Sequence, residues 1–348
     1  MKRKILYLSL AAVAIGCLIG LSCCQKPCSL DRVLHPSKTG ITTVRFYDEA
    51  RERPLVTEIW YPVDQATTAA KVEGLWVRCA EARDAPLKTS SKKYPLIVMS
   101  HGNWGDRMNT SWIAETLAAN GYIVAAVDHY GNTWNNKIVD SFIKIWERPK
   151  DISSVIDNLF QMEQFKDHID AQRIGFVGYS LGGQTGVWIA GGRVAHFDQP
   201  DMSKLPADQI PTTVNEEVLR AIDFSPAANS YRDPRVSAAF LMAPALGYLF
   251  DGASLQSISI PVYIVAAEGD QTVPFDSSPK ILAGKIKKAV LSLIPGSASH
   301  YVFLNEVSKG GKMLLDKKVA FDSPTVDRSK IHDEIATSAI SFFAEHLK

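Results

Sequence analysis

The chain is poor in the residues that would tie it to several function classes. Of its 348 residues five are cysteine, at positions 17, 23, 24, 28 and 79, and no Cys-x-x-Cys pair occurs. No Cys/His cluster has zinc-ligand spacing, so no metal is expected. An excess of one charge is missing too: Lys and Arg number 38 against 37 Asp and Glu, a formal net charge of +1. No Lys/Arg cluster stands out beyond the N-terminal tip, which argues against a nucleic-acid partner. Internal repeats and low-complexity tracts are absent. What is there is a 46% hydrophobic composition, enough for a sizeable core in one large or two smaller domains.

The N-terminus reads as an address. Lys2, Arg3 and Lys4 precede an apolar run from Ile5 to Leu21, the pattern of an export signal. "VAIGC" and "IGLSC" both look like a lipobox, although neither has leucine three residues before its cysteine. Cys23 is favoured over Cys17 as the lipid attachment point, because the apolar run continues through Leu21. The expected layout is a signal peptide over 1–23, a tether over 24–38 and a single domain over 39–348. The expected location is the outer side of a bacterial membrane, reached only through the N-terminal lipid. Plain secretion or a periplasmic location, and an uncleaved anchor helix, are the alternatives. A Cys28–Cys79 disulfide suits an oxidising compartment, but spacing does not establish it. Nothing in the sequence bears on oligomeric state.

Past the tether, "ITTVRFYD" and "PLVTEIWYP" have the alternation of an antiparallel strand pair, and residues 63–93 read as a surface loop. From Pro95 short apolar runs alternate with helical stretches: "PLIVMS", "YIVAAVD", "RIGFVGYS", "VSAAFLMAP", "PVYIVAAEGD" and "KAVLSLIPG". Strands apolar on both faces belong in a mostly parallel sheet with helices on both sides, which is an α/β domain. Residues 324–347 read as a closing helix. Residues 191–234 are too long for an ordinary connection, and their mixture of Phe197, Met202, Leu205, Ile210 and Phe224 with prolines reads as a lid-like insertion.

"FVGYSLGG" places Ser180 in a G-x-S-x-G pentapeptide. That pattern alone is common, but here a strand precedes it and a helix follows. Cβ atoms at 178 and 182 would collide with neighbouring backbone in so sharp a turn. A serine hydroxyl needs a base. His300, in the loop after the run ending at Ile294, is the expected one. Asp270, just past another strand, is the expected acid, with Glu268 and Asp276 as alternatives. The expected oxyanion donors are the backbone amides of Leu181 and Asn103. His101 is expected to tie down its loop, and Asp128 and His129 to shape a pocket wall. His332 and His346 are expected to face solvent. Trp104, Trp112, Trp134 and Trp146 fall near the expected sheet edge, and Trp104 and Trp134 are the expected pocket residues.

These stretches, with "SHGNWGDRMNTSWIAETLAANGYIVAAVDHYGNTW", "ERPKDISSVIDNL" and "AAEGDQTVPF", resemble the dienelactone-hydrolase and platelet-activating-factor-acetylhydrolase-like branch of the α/β-hydrolases. Two departures stand out. Dienelactone hydrolases proper have cysteine at the elbow, where this chain has Ser180. Plasma-type acetylhydrolases carry their acid one strand earlier, where "AAFLMAPAL" has no carboxylate. The resemblance implies the α/β-hydrolase fold and a cofactor-free serine hydrolase acting on carboxylic esters. The expected substrates are small to medium apolar acyl or aryl esters, or a lipid acetyl ester. A serine peptidase or amidase, and a non-catalytic surface binding protein, are the alternatives.

Overall fold

A computed structural model describes residues 5–7, 39–64, 74–78, 82–195 and 214–348. The expected signal peptide, except at Ile5–Tyr7, lies outside these residues. So do the lipid site at Cys23, the tether, the Cys28–Cys79 pair and residues 196–213 of the insertion.

Ten strands form one sheet and two form a small hairpin. In chain order they are β1 (Ile5–Tyr7), β2 (Thr39–Asp48), β3 (Arg53–Pro62), β4 (Ala82–Arg83), β5 (Tyr94–Ser100), β6 (Ile123–Val127), β7 (Asn132–Thr133), β8 (Asn136–Lys137), β9 (Ile169–Tyr179), β10 (Val236–Met242), β11 (Val262–Ala267) and β12 (Ala289–Ile294). The helices are α1 (Ser111–Ala119), α2 (Val139–Ile143), α3 (Glu147–Leu159), α4 (Leu181–Ile189), α5 (Glu216–Arg220), α6 (Gly252–Ser257), α7 (Pro279–Lys285), α8 (Gly311–Leu314), α9 (Lys317–Ala320) and α10 (Arg328–His346).

The six apolar runs of the sequence are β5, β6, β9, β10, β11 and β12, and all their mutual pairings are parallel. β2 and β3 pair antiparallel, and β3 joins the sheet antiparallel to β6. The order runs β1-β12-β11-β10-β9-β5-β6-β3-β2-β4. From the middle pair β5 and β9 the chain therefore winds outward in both directions, and a crevice opens there at the carboxyl ends of the strands.

Side chains alternate between two cores. Leu96 and Val98 of β5 join the core that holds Ile152, Ile156 and Leu159 of α3, Val187 of α4 and Leu282 of α7. Ile97 and Met99 join the opposite core with Trp112 and Leu117 of α1 and Ile335, Ala339 and Phe343 of α10. Period-two alternation against helices on each side is the physical content of the sandwich.

Two expectations change here. His332 does not face solvent: it is buried, stacked on Trp112 at 4.0 Å, with Nε2 2.8 Å from the Val302 carbonyl. Trp112 and Trp146 are core residues, buried to 2% exposure, not groups at the sheet edge. The described part of the insertion carries α5 and a short 3₁₀ turn, Ser225–Ala228. Its Phe224 and Tyr231 rings pack on Trp146 and Trp188, beside α3 and α4.

Phe343 joins the last helix to the sheet. It is fully buried, and a Cβ at Gly175 would stand 2.7 Å from its ring. Phe343→Ala is expected to cost about 3–5 kcal/mol, measured as a lower urea midpoint with unchanged slope.

Candidate active site

The site is built where three parallel strands end. β9 stops at Tyr179, and Ser180 takes φ 55° and ψ −117° before α4 begins. A non-glycine residue in that region is strained and persists only where its surroundings hold it. The surroundings are backbone. The Ser180 amide donates to the Met242 carbonyl at 2.9 Å, and its own carbonyl accepts from Ala245 at 3.0 Å. A Cβ at Gly178 would strike the Gly182 carbonyl, and one at Gly182 would strike the carbonyl of Ser100. The glycines therefore stand where two backbones touch. Gly183 does the same against Pro244, whose Cα would lie 2.7 Å from an added Cβ.

Asp270 lies three residues past β11, and His300 opens a 3₁₀ turn, His300–Phe303, beyond β12. The fold brings both to Ser180. His300 Nε2 is 2.9 Å from Ser180 Oγ, and His300 Nδ1 is 2.6 Å from Asp270 Oδ2. The Nδ1–H donates to the carboxylate, so Nε2 accepts from the hydroxyl. Asp270 Oδ1 accepts from the amides of Thr272 and Val273, at 2.8 and 2.7 Å. All three side chains are buried, Ser180 at 8% exposure. Tyr179 donates its hydroxyl to the His300 carbonyl at 3.0 Å, and burial holds that phenol well above its usual range, so it stays a donor. Of the alternative acids, Glu268 accepts from the Gly296 amide and Asp276 pairs with Lys280.

The loop after β5 comes to the same place. Gly102 lies against Ser180, since a Cβ there would sit 3.3 Å from the serine Cβ. His101 Nε2 accepts from the His129 amide at 3.2 Å, so Nδ1 carries the proton and donates to the Gly102 carbonyl at 2.7 Å. That carbonyl and the Asn103 amide share one trans peptide and point opposite ways. Holding the first therefore aims the second. Among the described residues no acceptor takes the N–H of Asn103 or of Leu181. Leu181 begins α4, where the helix dipole adds positive potential. Trp104, at φ 54°, stacks on Phe142 at 5.3 Å, with Lys137 5.0 Å from its ring centre. Trp134 is 63% exposed. Asn132, which the sequence reading passed over, bonds both the Trp104 amide and the Asn103 side chain at 3.2 Å.

Beneath this loop lies a network that the sequence reading also missed. His129 is fully buried and is not a pocket wall. Its Nδ1–H donates to Asp151 Oδ2 at 2.9 Å, and its Nε2 accepts from Ser100 Oγ at 2.8 Å. Asp151 also takes both Arg53 and Arg51. Burial alone would raise the Asp151 carboxyl, but His129 and Arg53 outweigh it and hold it well below the carboxylate range. Burial pushes the Arg148 guanidinium down to about 9, still cationic at neutral pH, and it donates to the His101 carbonyl at 2.5 Å. Asp128 pairs with Arg107 at 2.7 Å, and Arg107 reaches on to Glu58. The sequence did carry a signal for this network. Arg148 and Asp151 fall on the stripe of α3 with Ile152, Val155, Ile156 and Leu159, a buried face where charges need partners.

A cleft of about 440 Å³ between Tyr47, Lys150, Asp157 and Tyr231 shares no lining residue with this site.

With the geometry in place, the chain can be set beside known proteins. Ferulic acid esterase from Streptomyces cinnamoneus superposes with a TM-score of 0.59 over 89% of this chain and 90% of its own, at 20% sequence identity. The chain has the α/β-hydrolase fold. Residues 63–137 match the family model described as platelet-activating factor acetylhydrolase, isoform II. Dipeptidyl-peptidase 5 from Schizosaccharomyces pombe is 32% identical over 144 residues, 38% of this chain and 19% of that protein. Platelet-activating factor acetylhydrolase from Canis lupus familiaris is 32% identical over 146 residues, 29% of this chain and 33% of that one. The likeness thus spans between a fifth and a third of these curated relatives.

Two outcomes are expected of the buried network. Asp151→Ala leaves Arg53 and His129 without their carboxylate and is expected to destabilise the protein by about 3–5 kcal/mol in urea titration. Burial, reinforced by Arg148 for His101 and His129 and by Arg328 for His332, holds all three imidazoles low, His129 and His332 at about 3. Unfolded histidine titrates near 6.5, so between about 6.5 and about 3 the unfolded chain binds more protons than the folded one. Stability is expected to fall as pH drops through that window, with a lower urea midpoint at about pH 5 than at about pH 7.5.

Proposed function

We propose that this α/β-hydrolase is a serine hydrolase that cleaves carboxylic esters through an acyl-enzyme. The observation that carries the reading is the unbroken row Ser180–His300–Asp270, at 2.9 and 2.6 Å, ending on a serine in a strained turn. His300 Nε2 takes the Ser180 proton as Oγ attacks the carbonyl carbon, and Asp270 stabilises the imidazolium. The amides of Asn103 and Leu181 receive the oxyanion. The Nε2 proton then passes to the departing alcohol. Water enters, gives a proton to His300 and releases the acid, and Ser180 regains its hydrogen. The scheme draws on no metal or organic cofactor.

The esterase and acetylhydrolase names of the relatives and of the structural neighbour support an ester as substrate. Trp104 over Phe142 supports an apolar acyl or aryl group of small to medium size, or a lipid acetyl ester. A p-nitrophenyl ester series from acetate to palmitate reads pocket depth from the preferred chain length. The dipeptidyl-peptidase relatives favour a second reading, a serine peptidase or amidase, which matched aminoacyl esters and amides separate.

Two rows of Ser, His and Asp are present, so labelling must tell them apart. A fluorophosphonate is expected to label the wild type and Ser100→Ala alike, and to leave Ser180→Ala unlabelled. Ser180→Ala is also expected to lower kcat on the order of 10⁶-fold. Labelling that survives Ser180→Ala defeats the proposal.

A further inference from the structure

Near neutrality over the whole chain conceals a local excess that the sequence reading passed over. Between Lys309 and Lys318 the chain carries Lys309, Lys312, Lys317 and Lys318 against Asp316 alone, and all four lysines are exposed. The same stretch displays the most exposed large apolar side chains among the described residues, Met313 at 81% and Leu314 at 76%, with Phe321 at 52% beside them. Leu75, 38% exposed, lies against this segment, its carbonyl accepting from Ser308 at 3.0 Å. Nearby acids are engaged locally: Asp316 caps α9, and Asp322 is paired with Arg328 at 2.8 Å.

We propose that residues 309–321 dock on an anionic lipid bilayer, Met313 and Leu314 entering the headgroup boundary while the lysines meet lipid phosphates. Apolar side chains at the tip of a short helix, ringed by long cationic ones, suit an interface that is apolar below and negative above. A protein partner fits less well, because lysine is depleted from such interfaces. The segment adjoins the site. Lys318 Nζ lies 5.8 Å from the centre of the Tyr301 ring, which meets the His300 ring edge-on at 5.7 Å. Docking therefore faces that flank of the crevice toward the lipid. The inference rests on exposure and charge and stands apart from the reading of Ser180.

Amide hydrogen exchange of the full chain tests it, because the readout is the segment itself whatever residues 1–38 contribute. Vesicles of phosphatidylcholine with phosphatidylglycerol are expected to slow exchange over 309–321, and high salt to abolish the effect. M313S/L314S is expected to lose that protection. K309Q/K312Q/K317Q is expected to need on the order of a hundredfold more lipid, at roughly fivefold per lysine. Hydrolysis of soluble p-nitrophenyl acetate stays unchanged in both variants. No protection, or equal protection by phosphatidylcholine alone, overturns the proposal. Protection that grows with protein concentration in the absence of vesicles overturns it in favour of a second copy of the chain.

Discussion

Everything at the crevice depends on one place where two backbones meet without a side chain between them. The carbonyl of Ser100, the last residue of β5, occupies the space a Cβ at Gly182 would need. That contact seats the first turn of α4 on the end of β5, and it brings the loop holding Asn103 beside the strained turn holding Ser180. Any larger residue at 182 must push the helix or the strand away, and both amides that face the serine move with them. The placement of the two donors thus depends on a residue whose contribution is the side chain it lacks.

Among the described residues the same three residue types occur in the same bonding order twice. Ser100, His129 and Asp151 form one row and Ser180, His300 and Asp270 the other. What separates them is surroundings. Ser100 ends an extended strand and its histidine is wholly buried; burial, reinforced by the charge of Arg148, keeps that imidazole neutral. Ser180 stands in a left-handed turn at a helix N-terminus, with two amide donors that no acceptor among the described residues takes. The first row is linked to the loop that carries one of those donors, since the His129 amide donates to His101, which in turn holds the Gly102 carbonyl. Composition and bonding pattern alone do not mark a reactive serine.

Much of this architecture was legible in the sequence. β5, β6 and β9 to β12 are apolar on both faces, a pattern that has no other stable home than the inside of a parallel sheet. Gly178, Ser180 and Gly182 announced the turn because steric exclusion acts over four residues. Asp270 and His300 followed from chain order and from their positions just past strand ends. What escaped depends on contacts distant in sequence. His332 looked like a solvent-facing residue because nothing local shows that Trp112, more than two hundred positions earlier, covers it. His129 looked like a pocket residue because Asp151, its partner, lies on another element. The lysines of 309–318 were averaged away in a chain-wide charge balance.

β10 separates the strand that leads into Ser180 from the one that leads to Asp270, and His300 follows β12, the last long strand of the sheet to be made. Synthesis proceeds from the N-terminus, so a growing chain holds the serine for about 120 residues before its imidazole exists. Strand pairing across such separations is slow, because loop closure must be met before the contacts can reward it. The Ser180 hydroxyl accordingly has no imidazole partner until residue 300 has been made and the late strands have paired.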